Sequence, residues 1–429
     1  MKAVQELTLC CVDFGSFVSL AQKLSESCAK VFYHSPMERE FRNVEDAAIG
    51  RGIPGVTKIP SFMDQDIVKQ TDLYIFPDIG YGPEQQHLRG LGKPVFGSNG
   101  ADEYELLRTL FVEVVESLGL PMVPTEKIKG LTALRDRLKT VNNKWIKINE
   151  FRDNMETWKH IDYAHSQPEL ARLEAALGGA KEWIWFVVQD DLPDATELGY
   201  DGWSVDGWFP DSSFQGYEKK NELYLGAATD YDALPEGVRL VNEKFSKVLE
   251  EYGYRNFFAT EIRNFEGTPY FIDPTMRMPG QTGEQLLETM ENLAEVIWMA
   301  AQGELVQPKW TADFAASATL CYKGDKAGWK IIKVPDDARR WVKLCRYGQW
   351  DGVYHFPPNP REDVGVVIGK GPTIEATIAS VKENFDLIGD DSLCVHLEGF
   401  KDLLQDIQQA EKEGIEFSEQ PVPEPQTVI

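Results

Sequence analysis

The first hundred residues alternate between short apolar runs and stretches with helical periodicity. The runs are LTLCCVDF, KVFYH, DLYIFPDIG and KPVFGS, and the stretch SFVSLAQKLSESC after the first run has apolar residues at helical spacing. Continuous apolar runs separated by helices are typical of a parallel sheet that is buried on both faces. The pattern therefore predicts a parallel α/β domain over residues 1–100. The segment DFGSF after the first run is too poor in glycine for a dinucleotide-binding turn.

The middle of the chain, residues 101–304, predicts a second domain of mixed helices and strands. Helical periodicity recurs over four ranges: 102–119, 131–139, 236–253 and 283–304. In NKWIKINEF, strand alternation puts Trp145 and Lys147 on one face and two isoleucines on the other. The run EWIWFVVQDDL predicts a buried strand that ends near residue 192.

Short strands and turns dominate from residue 305, and the helical pattern TIEATIASVKENFDLI follows them. This predicts a small mixed α+β domain over residues 305–412. The last segment, residues 413–429, is rich in proline and glutamate, which predicts a disordered tail.

Two acids interrupt apolar strands in the segment ATEIRNFEGTPYFIDPTMR. The runs FFATEI and PYFID flank the polar insert RNFEG, a pattern that predicts a β-hairpin. A turn centred near Gly267 would place Glu261 directly opposite Asp273. Like charges facing each other destabilise a strand pair, so we expect a positive group between them.

The face of this hairpin suggests a metal site. Alternation puts Asp273, Thr275 and Arg277 on one face, together with Glu261. Two carboxylates and a hydroxyl are oxygen ligands suited to Mg²⁺, and an arginine fork can bind a phosphate or a carboxylate. The alternative is a surface hairpin with solvated charges and ordinary ion pairs.

Charge and composition exclude several classes of protein. The net charge of −25 argues against a nucleic-acid partner, which requires a basic patch. No run of apolar residues is long enough for a membrane span, and the N-terminus shows no secretion signal. The six cysteines lack metal-ligand spacing, so we expect free thiols in the cytoplasm.

The segments described above resemble the ATP-grasp ligases in their order and spacing, over nearly the whole chain except the tail. The resemblance implies an N-terminal pre-ATP-grasp domain, an ATP-grasp domain and a small C-terminal domain. The stretch VGVVIGKGPTIEATIASVKENF is similar to the last domain of the phosphoribosylamine–glycine ligase branch. The family's glycine-rich phosphate loop is here NEFRDNMETWKH, without glycine, in which Arg152 and the pair Glu156–Thr157 are candidate substitutes.

The resemblance also implies a role for each matching residue. Glu261 and Asp273, supported by Thr275, would hold Mg²⁺, or Mn²⁺, on ATP, and Arg277 would bind the transferred phosphate. Two basic residues would contact the ATP phosphates, namely Lys147 and Arg108. The remaining nucleotide contacts would come from the segments FVVQDDL and ATELGYDGW: Gln189, Asp190, Leu192 and Glu197, with Asp201 as a further candidate for ribose or substrate.

The implied activity is that of an ATP-dependent carboxylate–amine ligase with an acyl-phosphate intermediate. Its partners would be a small-molecule carboxylate and a small-molecule amine, and the oligomeric state stays open. Two departures from the family pattern, Asp273 for glutamate and Thr275 for asparagine, keep alternatives open. These are a decayed scaffold that binds nucleotide or another protein, and a carboxylate kinase that stops at the phosphate.

Overall fold

A computed structural model describes residues 2–36, 47–149, 157–325, 328–358, 361–419 and 422–423. Within these ranges the chain forms a parallel sheet and three antiparallel sheets, with helices packed against them. The predicted combination of an α/β and an α+β architecture is confirmed.

The N-terminal sheet is parallel and has the strand order β3-β2-β1-β4-β5. Its strands are β1 (Thr8–Val12), β2 (Lys30–His34), β3 (Val56–Lys58), β4 (Leu73–Ile75) and β5 (Val95–Phe96), and its helices are α1 (Val18–Leu24), α2 (Gln65–Gln70) and α3 (Gly82–Gly90). Leu9 and Cys11 belong to one hydrophobic cluster, whereas Cys10 and Val12 belong to another. Both faces of β1 are therefore buried, which explains its continuous apolar sequence.

A four-stranded antiparallel sheet follows, in the order β6-β9-β7-β8. Its strands are β6 (Thr125–Lys129), β7 (Lys144–Ile148), β8 (Thr157–His160) and β9 (Trp185–Asp190), and the helices of this region are α4 (Glu103–Leu106), α5 (Arg108–Ser117), α6 (Leu131–Leu138) and α7 (Tyr163–Leu177). Ile146 and Ile148 pack with the leucines of α6 and α7 on one face. Alternation therefore leaves Trp145 and Lys147 on the other face, as predicted.

A nine-stranded antiparallel sheet forms the largest layer. Its order is β14-β13-β10-β11-β12-β15-β20-β17, and β21 pairs with β15. The strands are β10 (Thr196–Val205), β11 (Ser212–Lys219), β12 (Leu223–Asp230), β13 (Arg255–Phe265), β14 (Thr268–Thr275), β15 (Phe314–Tyr322), β17 (Val342–Leu344), β20 (Asp363–Gly371) and β21 (Leu393–Cys394). A separate three-stranded sheet contains β16 (Lys330–Lys333), β18 (Gly348–Trp350) and β19 (Val353–Phe356).

The remaining helices lie in the second half of the chain. They are α8 (Glu236–Tyr252), α9 (Gly280–Thr289), α10 (Leu293–Ala300), α11 (Asp336–Arg339), α12 (Ile374–Asp386) and α13 (Phe400–Lys412). Two predicted helices are divided in the structure. The helix predicted over 102–119 breaks at Leu107, whose φ of −101° and ψ of 86° are not helical, and the helix predicted over 283–304 is split between α9 and α10.

Two features differ from the predicted domain division. Backbone hydrogen bonds join β12 to β15, so the nine-stranded sheet continues across the boundary predicted at residue 305. Residues 413–419, assigned to the tail, are folded: Phe417 is 1% exposed and packs against Tyr217 and Phe314. The buried aromatic ring of Phe417 and hydrogen bonds from Thr196 to Glu413 and from Gln215 to the Glu416 carbonyl hold this segment despite its polar composition.

No helix in the described ranges combines the length and the apolar character that a membrane span requires.

Candidate nucleotide and metal site

The two acids of the hairpin face each other across paired strands. Glu261 of β13 lies opposite Asp273 of β14, so the predicted opposition is confirmed. The turn itself pairs Phe265 with Thr268, and this register alone would place Glu261 opposite Ile272. A one-residue slip between Glu261 and Ile262 corrects the pairing. Such a bulge reorients one side chain relative to the ladder, and here it brings the two carboxylates together.

Two buried cations approach Asp273 from other elements. Lys147, on β7, donates from Nζ to Asp273 Oδ2 at 2.7 Å, and Arg108, the first residue of α5, bonds to Oδ1 through Nη1. The side chains of Lys147 and Arg108 are 7% and 4% exposed. Burial lowers the pKa of Lys147, and Asp273 opposes this effect. The expected positive charge therefore comes from two residues far away in the sequence.

Glu261 has its own cations. Lys220 Nζ and Arg263 Nη2 each lie 3.4 Å from a Glu261 carboxylate oxygen. Burial favours the protonated form of Glu261, but Lys220 and Arg263 outweigh this effect and hold its pKa below the usual value. Glu261 is therefore ionised at neutral pH.

Glu197 lies beside this pair on β10. Its carboxylate bonds to Arg263, which lies directly opposite it on β13. Burial and the nearby charge of Glu261 raise the pKa of Glu197. Asp201 lies four residues after Glu197, on the same face of the strand. It accepts a hydrogen bond from Tyr224 at 2.9 Å, and burial raises its pKa to about 7. One sheet face thus carries a row of acids whose pKa values are shifted in opposite directions, downward for Glu261 and upward for Glu197 and Asp201.

Arg277 is held by an acid that the sequence did not single out. Its Nε donates to Glu105 Oε1 at 2.9 Å, and the backbone N–H of Met276 donates to Glu105 Oε2 at 2.7 Å. Glu105 is buried in α4, so both bonds fix the strand end next to Arg277. Asp78, from the N-terminal sheet region, is also close: burial raises its pKa to about 6, and Arg277 opposes the shift.

The predicted nucleotide residues lie at the end of β9. Gln189 is buried, pairs with Trp145 and donates from Nε2 to Thr125 Oγ1 at 3.1 Å. Asp190 bonds to Lys144, which is directly opposite it. Alternation therefore puts Gln189 on the Lys147 face and Asp190 on the other. Leu192 is half-buried in the segment that follows the strand.

Asp191 is the acid that reaches the Lys147 face at this strand end. It accepts a hydrogen bond from Trp145 Nε1 at 2.7 Å and lies 2.6 Å from Lys159 Nζ. The sequence contained a signal for Asp191, namely its position directly after the end of the strand. The chain can turn at such a position, so that a polar side chain there can reach either face of the sheet. Thr275, the predicted third metal ligand, pairs with Ala259 on the face shared with Asp273.

The glycine-free loop after Lys147 is only partly described. Arg152 and Glu156, named as substitutes for glycine-rich contacts, lie outside the described residues. At the start of the loop, Asn149 Oδ1 accepts a hydrogen bond from the Thr109 backbone N–H at 3.2 Å. This bond connects the end of β7 to the first turn of α5, next to Arg108.

Comparison with known proteins gives a likeness in structure alone. No protein-family model matches the sequence, and no curated protein sequence matches it significantly. A phosphoribosylamine–glycine ligase from Thermotoga maritima is similar in structure, with a TM-score of 0.68, 13% identity, and coverage of 90% of this chain and 98% of that chain.

Two further solved structures are similar at the same level of identity. The L-amino acid ligase from Bacillus licheniformis has a TM-score of 0.60 at 16% identity, covering 91% of this chain and 99% of that chain. The biotin carboxylase domain of Hydrogenobacter thermophilus 2-oxoglutarate carboxylase, in complex with MgADP, ADP and bicarbonate, has a TM-score of 0.63 at 13% identity, covering 96% of each chain. The chain therefore has the ATP-grasp fold, the fold of the phosphoribosylamine–glycine ligase that it resembles.

Proposed function

We propose that this protein is an ATP-dependent carboxylate–amine ligase. The observation that carries the proposal is the meeting of Glu261 and Asp273 on one sheet with Lys147 and Arg108 from two other elements. Opposed carboxylates next to buried cations, on a fold shared with nucleotide-binding enzymes, are suited to a metal–triphosphate ligand.

Glu261 and Asp273 fit a divalent cation by their chemistry. Both offer hard carboxylate oxygens, and Glu261 is held ionised by its neighbours. Thr275 lies on the same face and would support them. When bound, Mg²⁺ or Mn²⁺ would neutralise charge on the phosphate oxygens of the nucleotide.

The phosphates of ATP would compete with Asp273 for Lys147 and Arg108. Both cations are buried, so their attraction to a phosphate is screened less than that of surface lysines. Adenosine would lie at the end of β9. We propose contacts there from Gln189, from the backbone around Asp190 and Leu192, and from Glu197.

Arg277 would stabilise the charge that builds up during phosphoryl transfer. A carboxylate substrate would attack the γ-phosphate, giving an acyl phosphate and ADP, and an amine would then attack the acyl carbon and release phosphate. Arg277 is oriented by Glu105, so little rearrangement is required at that step. Burial raises the pKa of Asp78 to about 6 and its charge interacts with that of Arg277, so Asp78 is a candidate acceptor for the proton of the amine.

The expected substrates are small molecules, because the net charge of −25 disfavours nucleic acid. We also propose a cytoplasmic location, since the described cysteines are free thiols.

Release of ADP, measured with panels of carboxylates and amines, tests the proposal. We expect ADP release that requires both substrates and that Glu261→Gln abolishes without changing the circular dichroism spectrum. Release that needs a carboxylate but no amine would indicate a kinase. Failure of the wild-type protein to bind ATP in the presence of Mg²⁺, measured by calorimetry, would refute the proposed function.

A further inference from the structure

Four cationic side chains gather at the C-terminal half of α9, in a chain whose net charge is −25. We call this group the α9 basic cluster; it consists of Lys23, Arg340, Lys343 and Lys370. Lys23 Nζ, Lys343 Nζ and Arg340 Nε contact the carboxylate of Glu288 at 3.0, 2.7 and 2.7 Å. These cations come from α1, β17, β20 and the segment after α11, so the fold assembles them from distant parts of the sequence.

The local acids do not balance the α9 basic cluster. Among the residues that the structure describes, the hydrogen bonds of Lys370 Nζ go to neutral oxygens, the Glu288 carbonyl at 3.1 Å and Thr311 Oγ1 at 2.7 Å. A second acid, Glu26, also contacts the cluster: it is exposed, and its carboxylate lies 3.0 Å from Lys23 Nζ. Glu284, one turn earlier in α9, also faces Lys343, but burial raises its pKa to about 7 and it is only partly ionised at neutral pH. The carbonyls at the end of α9 add only a partial negative charge. An excess of positive charge therefore remains.

Trp341 orders the exposed part of the cluster. The Arg340 guanidinium carbon lies 4.8 Å from the centre of the indole ring, and Lys370 Nζ lies 5.7 Å from the same centre. Such contacts restrict the long side chains of both residues. The Arg340 side chain is 56% exposed, and among the described residues only its Nε has an anionic partner. Its two Nη groups are therefore available to a ligand that approaches from solvent.

The pKa of Lys370 is consistent with unrelieved repulsion. Burial lowers this pKa, and the charges of Arg340 and Lys23 lower it further, while Glu288 opposes them. An anion bound next to Lys370 would favour its protonated form.

We propose that the α9 basic cluster binds the phosphate group of a small phosphate-bearing metabolite, at a site separate from the proposed nucleotide site. A guanidinium fork next to two ammonium groups is better suited to binding a doubly charged phosphate than to binding a singly charged carboxylate. The helix α9 begins at Gly280, shortly after Arg277 in the sequence. Glu288 lies eight residues beyond Gly280, about 12 Å along the helix, so the cluster lies further from Arg277 than the start of α9 does.

Calorimetry on the full chain, with magnesium removed by EDTA and without ATP, tests this proposal. The probes are inorganic phosphate, pyrophosphate and glycerol 3-phosphate, and the last of these distinguishes an ester from the free anion. Loss of one charge-assisted contact in Arg340→Gln or Lys370→Gln should weaken binding about tenfold or more. Lys247→Gln, an exposed lysine on α8, is the matched control and should change affinity less than twofold.

The outcomes separate this site from the nucleotide site. Lys147→Met should retain phosphate binding, because Lys147 belongs to the other site. Wild-type binding weaker than about 1 mM for all three probes would overturn the proposal. Equal losses in Arg340→Gln and Lys247→Gln would also overturn it, since they would indicate general charge attraction. None of these results depends on ligase activity, so the proposed function would stand or fall separately.

Discussion

Replacing Asp273 with asparagine tests the charge arrangement on which the proposed site depends. In the structure Asp273 neutralises two cations, Lys147 and Arg108, whose side chains are 7% and 4% exposed. Asparagine keeps nearly the same volume and polarity but removes the negative charge. The variant therefore leaves two buried cations without their carboxylate.

The expected loss of stability follows from this geometry. Removing one partner of a buried ion pair typically costs about 3–5 kcal/mol. The Asp273 side chain is itself 23% exposed, and the new amide can still accept one hydrogen bond, so we expect a cost of about 2–3 kcal/mol. The double variant Lys147→Met/Asp273→Asn should be destabilised by less than the sum of the single variants, because the two residues share one interaction.

The pH dependence has a definite sign. Burial lowers the pKa of Lys147 in the folded protein below its ordinary value of 10.5, and without Asp273 it should fall further. In the variant, Lys147 can therefore lose its proton as pH rises. The neutral amine is less costly to bury, so part of the lost stability is regained. The difference in stability between wild type and Asp273→Asn should narrow from pH 7 towards pH 10. Arg108 stays charged throughout, so the difference should not disappear.

Thermal and urea unfolding of both proteins measure this effect. Asp230→Asn, at the exposed end of β12, removes the same charge and serves as the control. We expect the control to unfold like the wild type. An Asp273→Asn protein as stable as the wild type at pH 7, or a difference that grows with pH, would refute the ion pairing described here.

Three further predictions concern other parts of the chain. Addition of Mg-ATP should change tryptophan fluorescence, and Trp145→Phe should remove most of the change, because Trp145 lies on the Lys147 face and bonds to Asp191 at 2.7 Å; an unchanged signal in this variant would place the nucleotide elsewhere. Phe417→Ala should destabilise the fold by about 3–5 kcal/mol in urea unfolding, whereas a disordered C-terminal segment would give no effect. Glu284 has a pKa raised from 4.5 to about 7 by burial, so the folded state binds the extra proton and stability should fall as pH rises through this window; Glu284→Gln should flatten that dependence, and an unchanged profile would contradict it.

The sequence by itself determined which segments form the elements of the site. Apolar runs, strand alternation and the hairpin insert depend on neighbours only a few residues apart, so they are readable along the chain. This is why the parallel N-terminal sheet, the face of Lys147 and the opposition of Glu261 and Asp273 were predictable. The prediction took the turn to be centred on Gly267, whereas the actual centre lies between Glu266 and Gly267, and the slip at Glu261 restored the predicted opposition.

Tertiary structure alone decided which charges meet. Glu105 and Arg277 are 172 residues apart, and Arg108 and Asp273 are 165 apart, so no local pattern could pair them. The same holds for the β12–β15 ladder that crosses residue 305. The physical reason is that burial depends on which atoms surround a side chain in space, and Coulomb energy depends on the distance between two charges. Sequence periodicity records only which face of an element is apolar.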